Sequence, residues 1–270
     1  MPELPEVERA ARKIRRAVVG RTISRVRLLH PALARRITAR ALASLRDHVV
    51  VAVEQRAKHQ LLVLDDGRSL HVHFRMAGDW KLDHASDEVP RSARAAIEFS
   101  DGTRLLLVDP RALSSMLLLA KGTTPFAQLG PDPSANDFVD ALAAALARRS
   151  AAIKPALLDQ RVAAGVGNIY AAEALWEAGI DPRASAKSLT RARVEQLATA
   201  IRIVLDRGRA GGRRYRDGAA SLRVYDREGE PCLRCGTTIE RIVQAGRSTC
   251  FCPRCQPAAK AKRARAARKR

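Results

Sequence analysis

Four cysteines stand in two pairs, Cys232-x2-Cys235 and Cys252-x2-Cys255, with sixteen residues between the pairs. Each pair can offer two thiolates to one ion, and two pairs complete a tetrahedral site suited to one structural Zn2+. A disulfide framework is the poorer reading for a chain expected in the cytoplasm. Cys250 is the odd cysteine and reads as a small apolar filler. The stretch between the pairs, IERIVQAGRST, carries Arg241 and Arg247 on a hairpin, where guanidinium groups can reach phosphates.

A second signal lies at the opposite end, in MPELPEVE. Chain ends fray unless something ties them down. Pro5 suits the start of a helix, Glu6 and Glu8 fall in its first turn, and Gly20 is placed to stop it. Val7, Ala10, Ala11, Ile14, Ala17 and Val18 recur at helical spacing, so the helix has a face to bury and holds Pro2 and Glu3 rigidly at its N-terminus. A third signal is the turn Gly165-Val166-Gly167-Asn168 between two helical stretches. The free N–H groups of the second helix can bind phosphate there, with Lys154 and Asn168 beside them. An ordinary helical hairpin closed by glycines fits the same pattern.

The elements that must position these groups change character along the chain. Residues 21–29 and 49–55 alternate as strands do. Stretches 60–64 and 69–74 flank Asp65-Asp66-Gly67, and 95–100 and 103–108 flank Asp101-Gly102, two hairpin signals. An antiparallel meander forming a β-sandwich or barrel is therefore expected over 1–120, and a linker rich in Pro and Gly over 121–137. Helices are expected at 138–149, 156–164, 169–178 and 189–207 within a helical region 138–222. The cysteine module spans 223–256, and 257–270 reads as a basic, disordered tail. The overall class is α+β.

Lys and Arg number 49 against 28 Asp and Glu, a formal net charge of +21, which suggests a polyanionic partner. Aromatic residues make up only 4 %, which argues against a single-strand binder built on stacked bases. No apolar run approaches the ~20 residues of a membrane span. The N-terminus lacks the apolar core of a signal peptide, so the cytoplasm is the expected compartment.

The Pro-Glu start, the Gly165–Asn168 turn and the four-cysteine ribbon, in that order, resemble the formamidopyrimidine-DNA glycosylase and endonuclease VIII family, closer to its formamidopyrimidine branch. The resemblance runs from Pro2 to about Gln256. It implies an N-terminal β-sandwich, a helix-two-turn-helix domain and a C-terminal zinc finger, with damaged double-stranded DNA in the cleft of a monomer. It implies a bifunctional glycosylase and abasic-site lyase that excises oxidised bases in base-excision repair. In such enzymes the initiator Met is removed and the secondary amine of Pro2 attacks the deoxyribose C1′. An α-amino group titrates near ~8, so a usable fraction is neutral at physiological pH. Glu3 is then the general acid and base. Lys58 matches the lysine of β-elimination, and Arg247 the finger arginine of δ-elimination and phosphate binding. Arg111 matches an arginine inserted opposite the flipped-out lesion, and Met76 a residue that fills the vacated stack. His73, Arg149, Lys154 and Asn168 fall on expected phosphate contacts.

The chain departs from that pattern in places. Leu113 stands where an aromatic wedge is usual, Ser92 replaces a DNA-contacting histidine, and Arg75 replaces a glycine before Met76. The expected lid between the last helix and the ribbon, RRYRDGAAS, has only nine residues, which looks too short to wrap a purine. Formamidopyrimidines, hydantoins and oxidised pyrimidines are thus expected over 8-oxoguanine. The alternative from another class is a non-catalytic DNA-binding paralogue of the same fold.

Overall fold

The apolar stripe of the first helix goes to the centre of the N-terminal half. A computed structural model describes residues 1–34, 37–211 and 222–258; the expected lid and nearly all of the expected tail lie outside the described residues. Helix α1 (Leu4–Val18) begins one residue before Pro5, with Glu3 as its N-cap and the Glu3 N–H donating to Glu6 Oε2 at 2.9 Å. Val7, Ala10, Ala11, Ile14 and Val18 are buried against both sheets' residues, each larger side chain contributing about 1.5–3 kcal/mol.

Strand β1 (Ile23–Leu28) is followed by two short helices, α2 (Pro31–Ala34) and α3 (Ala39–Ala43), and then by β2 (Val50–Arg56) and β3 (His59–Leu64). Next come β4 (Ser69–His73), β5 (Asp79–His84), β6 (Ala93–Phe99), β7 (Thr103–Val108) and β8 (Ser115–Leu119). The strands form two four-stranded antiparallel sheets, in the orders β1-β6-β7-β5 and β2-β3-β4-β8. This corrects the simple meander that alternation suggests. Both hairpins close where their Asp-Gly signals stand, with Gly67 and Gly102 in the left-handed region. Strands β5 and β8 escape the sequence pattern. The first is charge-rich, with Asp83 bound to buried Arg104 at 2.9 Å, and the second is a short continuous apolar run.

The helical part comprises α4 (Phe138–Ala147), α5 (Ile153–Leu158), α6 (Asn168–Glu177) and α7 (Arg191–Ala210). Helix α5 starts earlier and ends sooner than the expected 156–164. Pro155 is tolerated in its first turn, where its missing N–H has no intrahelical role. At Asp159 the chain turns extended, and the carboxylate accepts the Arg161 N–H at 3.0 Å. Leu197, Ile201 and Leu205 of α7 are wholly buried against α4, α5 and α6.

The finger hairpin, β9 (Glu240–Gln244) and β10 (Arg247–Phe251), docks on α6. Ala172 and Trp176 of α6 pack there with Val224, Ile239 and Cys250. Cys250 is buried as apolar filler. Helix α6 thus touches the N-terminal helix at one end and the finger along its flank.

Candidate active site and nucleic-acid interface

Glu3 is wholly buried, and its carboxylate caps the N-terminus of α6. Oε1 accepts the Ile169 N–H at 2.9 Å and Oε2 the Tyr170 N–H at 3.2 Å. Two of the N–H groups that spacing alone offers to phosphate are therefore occupied from within. A helix N-terminus favours an anion, and the nearest one here is a carboxylate carried in by α1. The same turn clasps the neighbouring residues. Leu4 N–H donates to Gly165 O at 3.2 Å, and the Lys58 ammonium donates to Val166 O at 2.9 Å. Tyr170 OH donates to Glu6 Oε1 at 2.9 Å, tying Glu6 to the helix whose first amides hold Glu3.

Burial pushes the Glu3 carboxyl above its ordinary range, opposed by the charge of Lys58 and by the two amides. Burial likewise pushes the Lys58 ammonium below its ordinary range; Glu3 opposes that shift and Arg247 reinforces it. Raising the carboxyl and lowering the lysine both favour the neutral forms, which suits groups that hand protons to and from a substrate. Pro2 is half-buried immediately before Glu3.

Lys154 lies inside the protein. Its ammonium donates to Asn168 Oδ1 at 2.6 Å, Ser248 O at 2.8 Å and Thr249 Oγ1 at 2.8 Å, so its three protons have protein acceptors. Burial brings its pKa down to about 8. Spacing suggests a phosphate ligand; the structure makes Lys154 a tether between α5, α6 and the finger hairpin. Asn168 Nδ2 also donates to Ser248 O, at 3.2 Å, and its side chain remains half-buried. Arg149 pairs with Asp159 at 2.7 Å and braces the α4–α5 connection. Arg241 donates to Ser248 Oγ at 3.0 Å. Arg247 is exposed at the start of β10, on the side of Lys58 and Lys154.

Two loops of the β-region present the other expected contacts. Met76 and Leu113 are large apolar side chains left 41 % and 47 % exposed. A residue in the left-handed conformation precedes each: Arg75 (φ 54°) and Ala112 (φ 53°). The loops are latched together, with Ser114 Oγ donating to Phe74 O at 3.1 Å. Asp109 braces the second loop by accepting the N–H groups of Arg111, Leu113 and Ser114. Arg111 is exposed beside Leu113, and half-buried His73 lies at the base of the first loop. Ser114 Oγ also lies 2.8 Å from Asp109 Oδ2, and nothing in the sequence pattern marks either residue, because their other partners are backbone groups.

The four-cysteine site has the right dimensions. Cys232 Sγ lies 3.9 Å from Cys255 Sγ and Cys235 Sγ lies 3.5 Å from Cys252 Sγ, with all four within 4.8 Å of one another. Zn–S bonds of about 2.3 Å in a tetrahedron require sulfur separations of that order. The four thiolates hold one structural Zn2+. Trp176 Nε1–H donates to Cys232 Sγ at 3.4 Å, and Arg234 stacks over the indole at 4.1 Å. The Glu173 carboxylate of α6 accepts the N–H groups of Arg223, Val224 and Tyr225, anchoring the chain as it enters the finger.

Comparison with known proteins matches this arrangement throughout. The formamidopyrimidine-DNA glycosylase N-terminal domain family matches residues 1–116, its H2TH domain residues 129–216, and the zinc finger found in FPG and IleRS residues 229–258. The chain is 40 % identical to the formamidopyrimidine-DNA glycosylase of Rhizorhabdus wittichii, covering 95 % of this chain and 100 % of that one. It is 42 % identical to the Chloroflexus aggregans protein of the same name, over 95 % and 98 %. The Lactococcus lactis enzyme bound to DNA containing an AP site superposes with a TM-score of 0.88 at 30 % identity, over 94 % and 99 % of the two chains. Its complex with Fapy-dG DNA gives 0.87 at 29 % identity, over 94 % and 100 %. From its N-terminal sandwich to its zinc finger, the chain belongs to the formamidopyrimidine-DNA glycosylase family.

Proposed function

We propose that this protein is a bifunctional DNA glycosylase and abasic-site lyase that excises oxidised bases from duplex DNA in base-excision repair. The observation that carries the reading is Glu3, a fully buried carboxyl beside Pro2, seated on the Ile169 and Tyr170 amides near Lys58. A solvated surface glutamate would need none of this.

With Met1 removed, the Pro2 amine attacks C1′ of a nucleotide flipped from the stack, since C1′ is otherwise inaccessible. The N–C1′ bond forms as the glycosidic bond breaks, and the base departs with the bonding pair and takes up the proton that the Pro2 nitrogen gives up on bonding. Glu3 donates a proton to the opening sugar ring, whose C1′–O4′ bond breaks to leave a Schiff base on Pro2. Loss of a C2′ proton, with Lys58 as the assisting base, expels the 3′ phosphate in β-elimination. Arg247 binds phosphate and assists the second elimination. Met76, Arg111 and Leu113 enter the vacated stack, where a leucine can wedge without aromatic stacking. His73, Asn168 and Arg149 line the path of the backbone; Lys154 supports the finger that carries Arg247. A chromosomal substrate implies the cytoplasm, and no helix among the described residues is long and apolar enough to cross a membrane.

Borohydride reduces Schiff bases, so it should link the protein covalently to lesion-bearing duplex through Pro2. Pro2→Gly should retain some trapping and Glu3→Gln little base excision. No adduct with any oxidised base or abasic site would favour the non-catalytic DNA-binding reading.

A further inference from the structure

We propose that Tyr170 is the positioning residue of the nucleophile: its amide holds the Glu3 carboxylate, and its hydroxyl, through Glu6, holds the N–H of the Pro2–Glu3 peptide. The proposal rests on the reading of Pro2 as the attacking amine.

A capping box needs one oxygen of its glutamate, and Glu6 Oε2 accepts the Glu3 N–H at 2.9 Å. The other oxygen, Oε1, accepts the Tyr170 hydroxyl at 2.9 Å, from 164 residues along the chain. The same tyrosine gives its backbone N–H to Glu3 Oε2 at 3.2 Å. Two donors of one residue therefore reach the Pro2–Glu3 pair by two routes. The Glu3 N–H lies in the planar Pro2–Glu3 peptide, so fixing it fixes the plane from which the proline ring projects. Only rotation about the Pro2 Cα–C bond is then left to aim the amine.

The phenol is held from behind as well. Tyr170 is buried, and a β-carbon at Gly208 would stand 2.2 Å from its hydroxyl oxygen and 2.7 Å from Cζ. Gly208 lies inside α7, and glycine is the poorest helix former after proline. The helix gains nothing from a glycine there; the phenol needs the space. That turn of α7 is itself clamped to α1, with Arg209 paired to Glu8 at 2.7 Å and Arg9 donating to Gly208 O at 3.4 Å. The hydroxyl is thus confined between Glu6 and Gly208. Burial and the charge of Glu6 push its pKa far above the ordinary phenol value, so it stays protonated and serves as a fixed donor.

The test uses the full-length protein and measures two quantities: the single-turnover rate of borohydride trapping on a duplex with a natural abasic site, and Kd for a duplex with a tetrahydrofuran analogue. Tyr170→Phe should trap about tenfold more slowly with Kd unchanged, because a small displacement of reacting groups costs rate. A tyrosine that only supported the fold would move Kd and Tm together with the rate. Glu6→Ala breaks the same link, so adding Tyr170→Phe to it should slow trapping no further. Gly208→Ala keeps the hydroxyl but displaces it, and should slow trapping as Tyr170→Phe does, again with Kd unchanged. A wild-type rate in Tyr170→Phe, a loss seen only in Kd, or full additivity in the double variant overturns the assignment. A wild type that forms no adduct defeats the reading of Pro2 itself, whereas equal trapping by wild type and Tyr170→Phe sinks only the role of Tyr170.

Discussion

Gly167 lies so close beneath Glu3 that a β-carbon there would stand 2.3 Å from Glu3 Cδ and 2.4 Å from Oε1. The backbone at Gly167 is extended (φ −131°), so the glycine is required by this approach and not by its dihedral angles. Gly167→Ala should push the carboxylate off the Ile169 and Tyr170 amides. Misplacement of about 1 Å costs roughly 100-fold in rate. Single-turnover base excision should fall by about that factor, while zinc content and affinity for an abasic analogue stay near wild type. Unchanged excision would show that Glu3 needs no such seat.

Lys154→Met removes the donor from three acceptors while nearly keeping side-chain volume. Each buried acceptor left unpaired costs about 1–3 kcal/mol. The variant should lose about 2–3 kcal/mol of stability and release zinc to a chelator faster. Its salt slope for DNA should stay unchanged, since the ammonium faces inward. A slope reduced by about one would put Lys154 on phosphate after all.

Cys252→Ser should abolish zinc binding and duplex binding together, with the β-region still folded, because a structural metal supplies folding energy locally. Metal analysis and near-ultraviolet circular dichroism report the two halves of this outcome. Stoichiometric zinc in the variant would mean that another residue replaces the thiolate.

His71 and His73 titrate near 4 and 3 in the folded protein against 6.5 unfolded. Below pH 6.5 the unfolded chain binds protons that the native rings refuse, so stability falls as pH drops from 6.5 towards 4. Denaturant midpoints from pH 7 to 4.5 should show this slope, and His71→Gln should flatten it. Histidine resonances of both residues should stay in the neutral form throughout pH 5–8.

Lesion preference should follow lid length. With nine residues available in RRYRDGAAS, formamidopyrimidines and hydantoins should leave at least about tenfold faster than 8-oxoguanine, or ~1.4 kcal/mol in the barrier. Single-turnover kinetics on otherwise identical duplexes decide it. Equal release of 8-oxoguanine opposite cytosine would defeat the lid argument and leave the family intact.

The sequence by itself determined whatever depends on near neighbours. The cysteine spacing specified a four-thiolate site because both ligands of each pair lie within one turn. The stripe from Val7 to Val18 specified a buried helix, and the Asp-Gly signals closed two hairpins, for the same local reason. The tertiary structure decided which group fills a valence left open by local structure. The sequence showed free amides opening α6; that Glu3, 166 residues away, fills two of them follows from the docking of α1 on that turn. Lys154 carries the same charge on the surface or inside, and the finger hairpin folding over it turned a candidate ligand into a tether. Strands β5 and β8 formed because sheet edges were there to pair with them, a condition set by long-range packing that no periodicity in the chain records.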